Sequence, residues 1–164
     1  VSVLAILKWP DPRLAQACAP VGVVTPEIRT LAADMLETMY AAPGRGLAAP
    51  QVGAMLRLFV MDVTWKEGRP DPQVVLDPVI EPLGDAVATR AEGCLSIPGI
   101  LTEITRPARV RMRWRDLEGV AQTAVLDDFA AACVQHETDH LDGIVTLMRI
   151  APEARARAEA EYRA

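Results

Sequence analysis

The chain carries only two histidines, and they stand four residues apart in His136-Glu137-Thr138-Asp139-His140. A helix with that spacing brings both imidazoles onto one face, within reach of a single metal ion. The glutamate between them stands where a general base serves a metal-held water. Ala131-Ala132-Cys133-Val134 precedes the pair and predicts a helix packed into the core, not one whose histidines lie in solvent. Two imidazoles do not complete a catalytic site. A third protein ligand is required, with one position left open for water.

No third histidine exists to fill that role. Glu153, Glu159 and Glu161 follow the motif, but on a polar C-terminal segment where they read as solvated charge. Upstream, Glu92-Gly93-Cys94-Leu95-Ser96 puts a thiol in a strand or turn, with Gly93 permitting close backbone approach, and Cys94 is the expected third ligand. Another segment, Gly44-Arg45-Gly46-Leu47-Ala48-Ala49-Pro50-Gln51, reads as a glycine-rich loop with no bulk above its backbone, as a substrate lying alongside it would require. Gln51 can offer an amide N–H to a developing oxyanion. The segment lacks the spacing and the lysine of a phosphate-binding loop.

The remaining pattern is that of an α+β chain forming one domain over residues 1–164. Thr25-Pro26-Glu27 supplies an N-cap, a proline at the first helical position and an acid in the first turn. Ile28, Leu31, Ala32, Met35, Leu36, Met39 and Tyr40 then recur at helical spacing until Pro43-Gly44, giving an amphipathic N-terminal helix. Leu56 to Asp62 and Val74 to Ile80 are short apolar runs, and Arg109 to Arg115 alternates Val110, Met112 and Trp114 with arginines, so all three read as strands. Asp116-Leu117-Glu118-Gly119 turns the chain into a further strand, Val120 to Leu126. A second helix starts at Asp127 or Asp128 and ends before Gly143, and Pro152 opens a short polar terminal helix.

Composition narrows the function classes. With 51% hydrophobic and 24% charged residues the chain is globular in type, and its net charge of -5 with only 4% aromatics argues against coating or stacking on nucleic acid. Three cysteines without a CxxC pair suggest free thiols or a metal ligand, not a disulfide framework. The uncharged stretch Gly46 to Leu56 is broken by Pro50, Gln51 and Gly53 and is too short to span a membrane. Val1 to Leu7 lacks the basic and apolar regions of a signal peptide, so a cytoplasmic location is expected.

Taken together and in order, Gly46-Leu47-Ala48-Ala49-Pro50-Gln51, Glu92-Gly93-Cys94-Leu95-Ser96 and Gln135 to His140 closely resemble the peptide deformylase family, over a span from about Leu7 to Met148. The resemblance implies small antiparallel sheets surrounding a central HExxH helix, with an N-terminal amphipathic helix and a short C-terminal one. It implies a metal-dependent cytoplasmic hydrolase that removes the formyl group from the N-terminal formylmethionine of newly made polypeptides and releases formate. Cys94, His136 and His140 match the metal ligands and Glu137 the general acid/base, while Gln51 and the Leu95 backbone N–H match the oxyanion donors. Glu92 and Arg106 occupy the positions of a supporting salt bridge. One divalent ion is implied. The ligand types suit Zn(II) or Fe(II), and the resemblance favours Fe(II), with zinc, nickel or cobalt as substitutes. The implied partners are N-formylmethionyl peptides and at most a weak ribosome contact, with no DNA and no membrane.

Two departures bear on substrate choice. The residue between Gly44 and Gly46 is usually aliphatic in that family and here is Arg45. Its side chain starts at the cleft rim, from which it can point into water, fold over the methionine pocket or reach along the cleft to a substrate carboxylate. The pocket should also include Phe129, Ala132 and Cys133, one and two turns before His136. Ala132 removes bulk relative to the usual aliphatic residue, and Phe129 can restore it. In the C-terminal helix Arg149, Arg155, Arg157 and Arg163 barely outnumber Glu153, Glu159 and Glu161, so strong affinity for ribosomal RNA is not implied. The competing readings are a catalytically retired relative that keeps its metal and binds peptides or a partner, and a peptidase of internal amide bonds.

Overall fold

A computed structural model describes all 164 residues. Helix α1 spans Pro26–Ala41, where Thr25 Oγ1 accepts from the Ile28 N–H at 3.3 Å and Pro26 occupies the first turn. Its buried face carries Ile28, Ala32, Met35 and Met39. After Ala42, the Gly44 N–H closes the end by donating to the Met39 carbonyl at 2.7 Å.

Strands β1 (Gly46–Ala48), β2 (Leu58–Met61), β3 (Gln73–Pro82), β6 (Arg109–Arg115) and β7 (Ala121–Asp127) form an antiparallel sheet in the order β1-β2-β3-β6-β7. Strands β4 (Val87–Cys94) and β5 (Ile97–Pro107) form a separate two-stranded antiparallel sheet. Helix α2 spans Asp128–Leu141 and α3 spans Pro152–Arg163. The α+β class, the HExxH helix packed among small antiparallel sheets, and the helices near both ends are as the sequence predicts.

Two segments differ from that reading. Gly46–Ala48 is not loop but an edge strand, pairing Leu47 with Val60 of β2, and Ala49–Val52 continues as a 3-10 turn. Three residues are too few to show alternation. The long hairpin of β4 and β5 has no counterpart in the sequence reading beyond the strand or turn at Cys94. Its first strand alternates exposure but carries Arg90, Glu92 and Gly93 where large apolar side chains would have announced it.

Helix α2 sits against the five-stranded sheet, burying Ala131, Val134 and Leu141 with Phe59, Val75 and Met112. Each large side chain so buried contributes about 1.5–3 kcal/mol. A second cluster joins Met35 and Met39 of α1 to Leu58, Val60 and Leu76, and a third joins Ile97, Ile100, Val145, Leu147 and Ala158 beneath β5 and α3. Strand β7 runs into α2 without a linker. Asp128 makes that corner with φ 52°, a conformation Asp tolerates better than most residues, and so sets the direction of Phe129. Beyond α2, Gly143 is required: with φ 75° it passes so close to Ala15 and Gln16 that a Cβ would lie 2.8 Å from their backbone carbons. No helix is long and apolar enough to cross a membrane.

Candidate metal centre and active site

Because α2 is buried, the one-turn spacing of its histidines becomes a fixed geometry. The rings of His136 and His140 lie 5.1 Å apart, and Cys94, at the end of β4, brings its Sγ to 3.4 Å from His140 Nε2. One ligand atom from each of Cys94, His136 and His140 falls within 4.8 Å of the others. The three expected ligands therefore converge, although β4 and α2 belong to different layers.

Electrostatics suit the cluster to a cation. Burial alone would raise the Cys94 thiol, but His140 and His136 outweigh it and hold the group well below the usual thiol range. Burial likewise works against a charged His136, yet Glu137, Cys94 and Glu92 push it above the ordinary imidazole value. A thiolate and two imidazoles are the donor set of a borderline-soft divalent ion such as Zn(II) or Fe(II). Buried atoms without partners include His140 Nδ1 and Glu137 Oε1. The second of these leaves a buried carboxylate oxygen with unused acceptor capacity beside the three ligands, as a site holding water requires. The residues present fit a resident divalent metal.

Outside the ligands, His136 Nδ1 lies 2.9 Å from Glu92 Oε1, leaving Nε2 as the coordinating nitrogen. Arg106 grips the same carboxylate with two bonds, Nε to Oε2 at 2.7 Å and Nη2 to Oε1 at 3.0 Å. Burial would raise Glu92, but His136 and Arg106 lower it to about 2. Arg106 also reaches Asp139 Oδ2 at 2.9 Å, and Asp139 is held by Arg149 at 2.6 Å. Asp139 and Arg149 are members of this network that the sequence reading does not assign. Asp139 lies inside the histidine motif itself, three residues after His136, which is the one signal that points to it.

Gln51 is buried and its amide is oriented at both ends. Oε1 accepts from the Ala48 N–H at 2.9 Å, while Nε2 donates to Ser96 Oγ at 3.0 Å and stands 3.7 Å from Cys94 Sγ. An amide nitrogen has two hydrogens, so one remains on the Cys94 side. Ser96 is a third residue the sequence reading leaves without a role. Glu137 is 5% exposed. Burial raises its carboxyl pKa while His136 and His140 oppose the rise.

These groups open onto a cavity of about 1070 Å³. All six expected substrate residues, Gly44, Arg45, Gly46, Phe129, Ala132 and Cys133, line it. The opposite wall is β4 and the start of β5, including Gly93, Leu95 and Leu101. The glycines are matched to close approach: a Cβ on Gly46 would stand 2.6 Å from Glu137 Oε2, and one on Gly44 2.9 Å from Leu95 Cδ1. Burial raises the Cys133 thiol well above its usual range, which leaves it an apolar wall group. Arg45 lies across Phe129, with its side chain partly exposed. Its Nη2 lies 3.1 Å from Glu67 Oε1 and its guanidinium 5.3 Å from the Phe129 ring centroid.

Residues 3–156 match the polypeptide deformylase family. A peptide deformylase of Acinetobacter baumannii strain SDF is 46% identical over 157 residues, covering 96% of this chain and 88% of that protein. One of Nitrobacter hamburgensis is 40% identical over 99% of this chain and 95% of its own. The crystal structure of peptide deformylase from Ehrlichia chaffeensis in complex with actinonin superposes with a TM-score of 0.92 at 37% identity, covering 99% of this chain and 97% of that one. That from Thermus thermophilus gives 0.89 at 39% identity, covering 98% and 94%.

Proposed function

The chain belongs to the peptide deformylase family, and from that premise we propose how its own residues remove the formyl group from the N-terminal formylmethionine of newly made polypeptides. The observation that carries the reading is the convergence of Cys94, His136 and His140 beside Glu137 and the Gln51 Nε2 hydrogen that faces Cys94 Sγ, at one end of a cleft able to take a peptide. A divalent ion held by Cys94, His136 and His140 supplies Lewis acidity when bound, lowering the pKa of water and polarising a carbonyl.

The chain's residues do the rest. The peptide lies extended between Gly44-Arg45-Gly46 and Gly93, whose glycines leave room for Leu95, Glu137 and Leu101 at the cleft wall. Its first side chain rests on Ala132 and Cys133. Glu137 takes the proton released as water adds to the formyl carbon, and its raised carboxyl pKa lets it return that proton to the departing nitrogen. Gln51 Nε2 and the Leu95 N–H donate to the formyl oxygen as it gains charge. The C–N bond breaks, and formate and a free α-amine leave. Glu92, clamped by Arg106, fixes the ring of His136 and keeps its Nε2 facing the centre.

The whole of residues 1–164 acts as one catalytic domain. Its native ion is Fe(II), with zinc, nickel or cobalt as substitutes; the ligand types suit Fe(II) and Zn(II) alike, and the family resemblance supports Fe(II). It works in the cytoplasm with a weak ribosome contact at most, because the basic residues of α3 are balanced by acids. The test is formate release and amine appearance from formyl-Met-Ala-Ser. One amine per formate, with nothing from the metal-stripped protein and no cleavage of an unformylated peptide, is expected. Metal binding without formate release would make the protein a retired relative, and internal cleavage would make it a peptidase.

A further inference from the structure

A single 3-10 turn outside the three signature segments, Trp65–Glu67, brings its side chains to the rim of the cleft. Trp65 donates its indole N–H to the Gly44 carbonyl at 2.9 Å and stands edge-on to Tyr40, with centroids 5.2 Å apart at 84°. Tyr40 donates to the fully buried Asp62 at 2.6 Å, and Asp62 also accepts from the Asp71 N–H. The turn is therefore anchored to the core and not a loose loop. At its end, Glu67 holds the Arg45 guanidinium over Phe129.

Phe129, Ala132, Cys133 and His136 lie on one face of α2, a strip about 10 Å long at the helical rise. The Arg45 carbonyl sits 3.9 Å from Cys133 Sγ, and its side chain crosses the far end of the strip at Phe129. Between these points Ala132 offers only a methyl group. Phe129 is 43% exposed with Arg45 in place, and releasing Arg45 would open the outer end of the strip further.

We propose that the Trp65–Glu67 turn determines the selectivity of the cleft for the first side chain: by holding Arg45 across Phe129 it narrows the outer end of that pocket and favours an unbranched side chain of methionine's length over an aromatic one. The inference rests on the deformylase reading of the cleft and goes beyond it in assigning Glu67 and Trp65 as positioning residues. The Arg45 and Glu67 side chains are 30% and 50% exposed, so the pair is of the partly screened kind whose removal changes an equilibrium by roughly 1.4- to 5-fold and which salt weakens.

The experiment compares kcat/KM for formyl-Phe-Ala-Ser and formyl-Met-Ala-Ser in wild type, Glu67→Gln, Arg45→Ala and the double variant, at low and at high salt. Both peptides have neutral side chains, so the Phe-to-Met ratio cancels general salt effects. The ratio should rise roughly 1.4- to 5-fold in Glu67→Gln. High salt should lift wild type toward the same value while leaving Glu67→Gln unmoved, and the double variant should match Arg45→Ala. Equal ratios in wild type and Glu67→Gln at low salt, or a salt response that persists in Glu67→Gln, would overturn the proposal while leaving the deformylase reading intact. A wild type that releases formate from neither peptide would overturn that reading instead.

Discussion

Glu137 is a buried carboxylate with one oxygen unpartnered, placed between two imidazoles and the cleft. Glu137→Gln preserves its shape but cannot carry a proton. In the role proposed for it, the variant should retain metal, by elemental analysis, while kcat falls about 10²–10⁴-fold, and retention of more than half of the wild-type kcat would contradict the role. Cys94→Ser exchanges a thiol that His140 and His136 hold well below the usual thiol range for a hydroxyl that does not ionise at neutral pH and ligates weakly. Metal content should drop well below one per chain, whereas Cys18→Ser, outside the ligand cluster, should leave it intact. At this scale the sequence was legible where chemistry imposes a spacing: the His136–His140 interval has meaning only on a helix, and Cys94 was the one thiol beside a close-approach glycine. Asp139 and Arg149 were not legible, because what they do is decided by Arg106, which meets Asp139 from 33 residues away. Glu67 was hidden for the same reason, 22 residues from the arginine it holds.

Elements were readable in proportion to the apolar periodicity they carry. The ends of α1 follow from Thr25, Pro26 and Pro43, and β6 from the alternation of Val110, Met112 and Trp114 with arginines. Strand β4 was unreadable because its inward positions serve the site, not the core: Glu92 points to His136 and Cys94 to His140. The link between β4, β5 and α2 is the Glu92–Arg106–Asp139 network, whose side chains are 7–12% exposed. Removing one partner of a buried ion pair strands the other charge and costs about 3–5 kcal/mol. Arg106→Met keeps much of the side-chain volume and leaves Glu92 with only His136, while Asp139 retains Arg149. The variant should therefore lose about that much stability in urea titration and also bind metal more weakly, since His136 loses its fixed orientation. A loss of stability with unchanged metal affinity would separate the network from the site.

The whole molecule divides into clusters packed separately, one around α2 and the large sheet, one around α1, and one beneath β5 and α3. Backbone bonds from the N-terminal segment stitch them near the site: the Leu7 N–H donates to Gln51 O at 2.7 Å, the Trp9 N–H to Ser96 O at 2.9 Å, and Tyr162 of α3 donates to the Trp9 carbonyl at 2.8 Å. This stitching was invisible in the sequence, since residues before α1 carry no periodicity and find their partners only in the finished fold. The ligand set spans the same division, with Cys94 from the two-stranded sheet and both histidines from the helix of the main core. An ion held across that boundary binds the folded state and not the unfolded chain. At a free concentration one hundred times its dissociation constant it stabilises by about 2.7 kcal/mol, which for a domain of this size raises Tm by about 5–11 °C. Chelation should lower Tm by that amount and re-addition of the ion should restore it, read by the thermal loss of near-ultraviolet circular dichroism. In Cys94→Ser the difference between chelated and metal-supplied samples should shrink toward zero, because two ligands from one helix no longer join the layers. If Cys94→Ser keeps the full wild-type difference, the ion is held by α2 alone and the proposed role of Cys94 as the link between the two sheets is wrong.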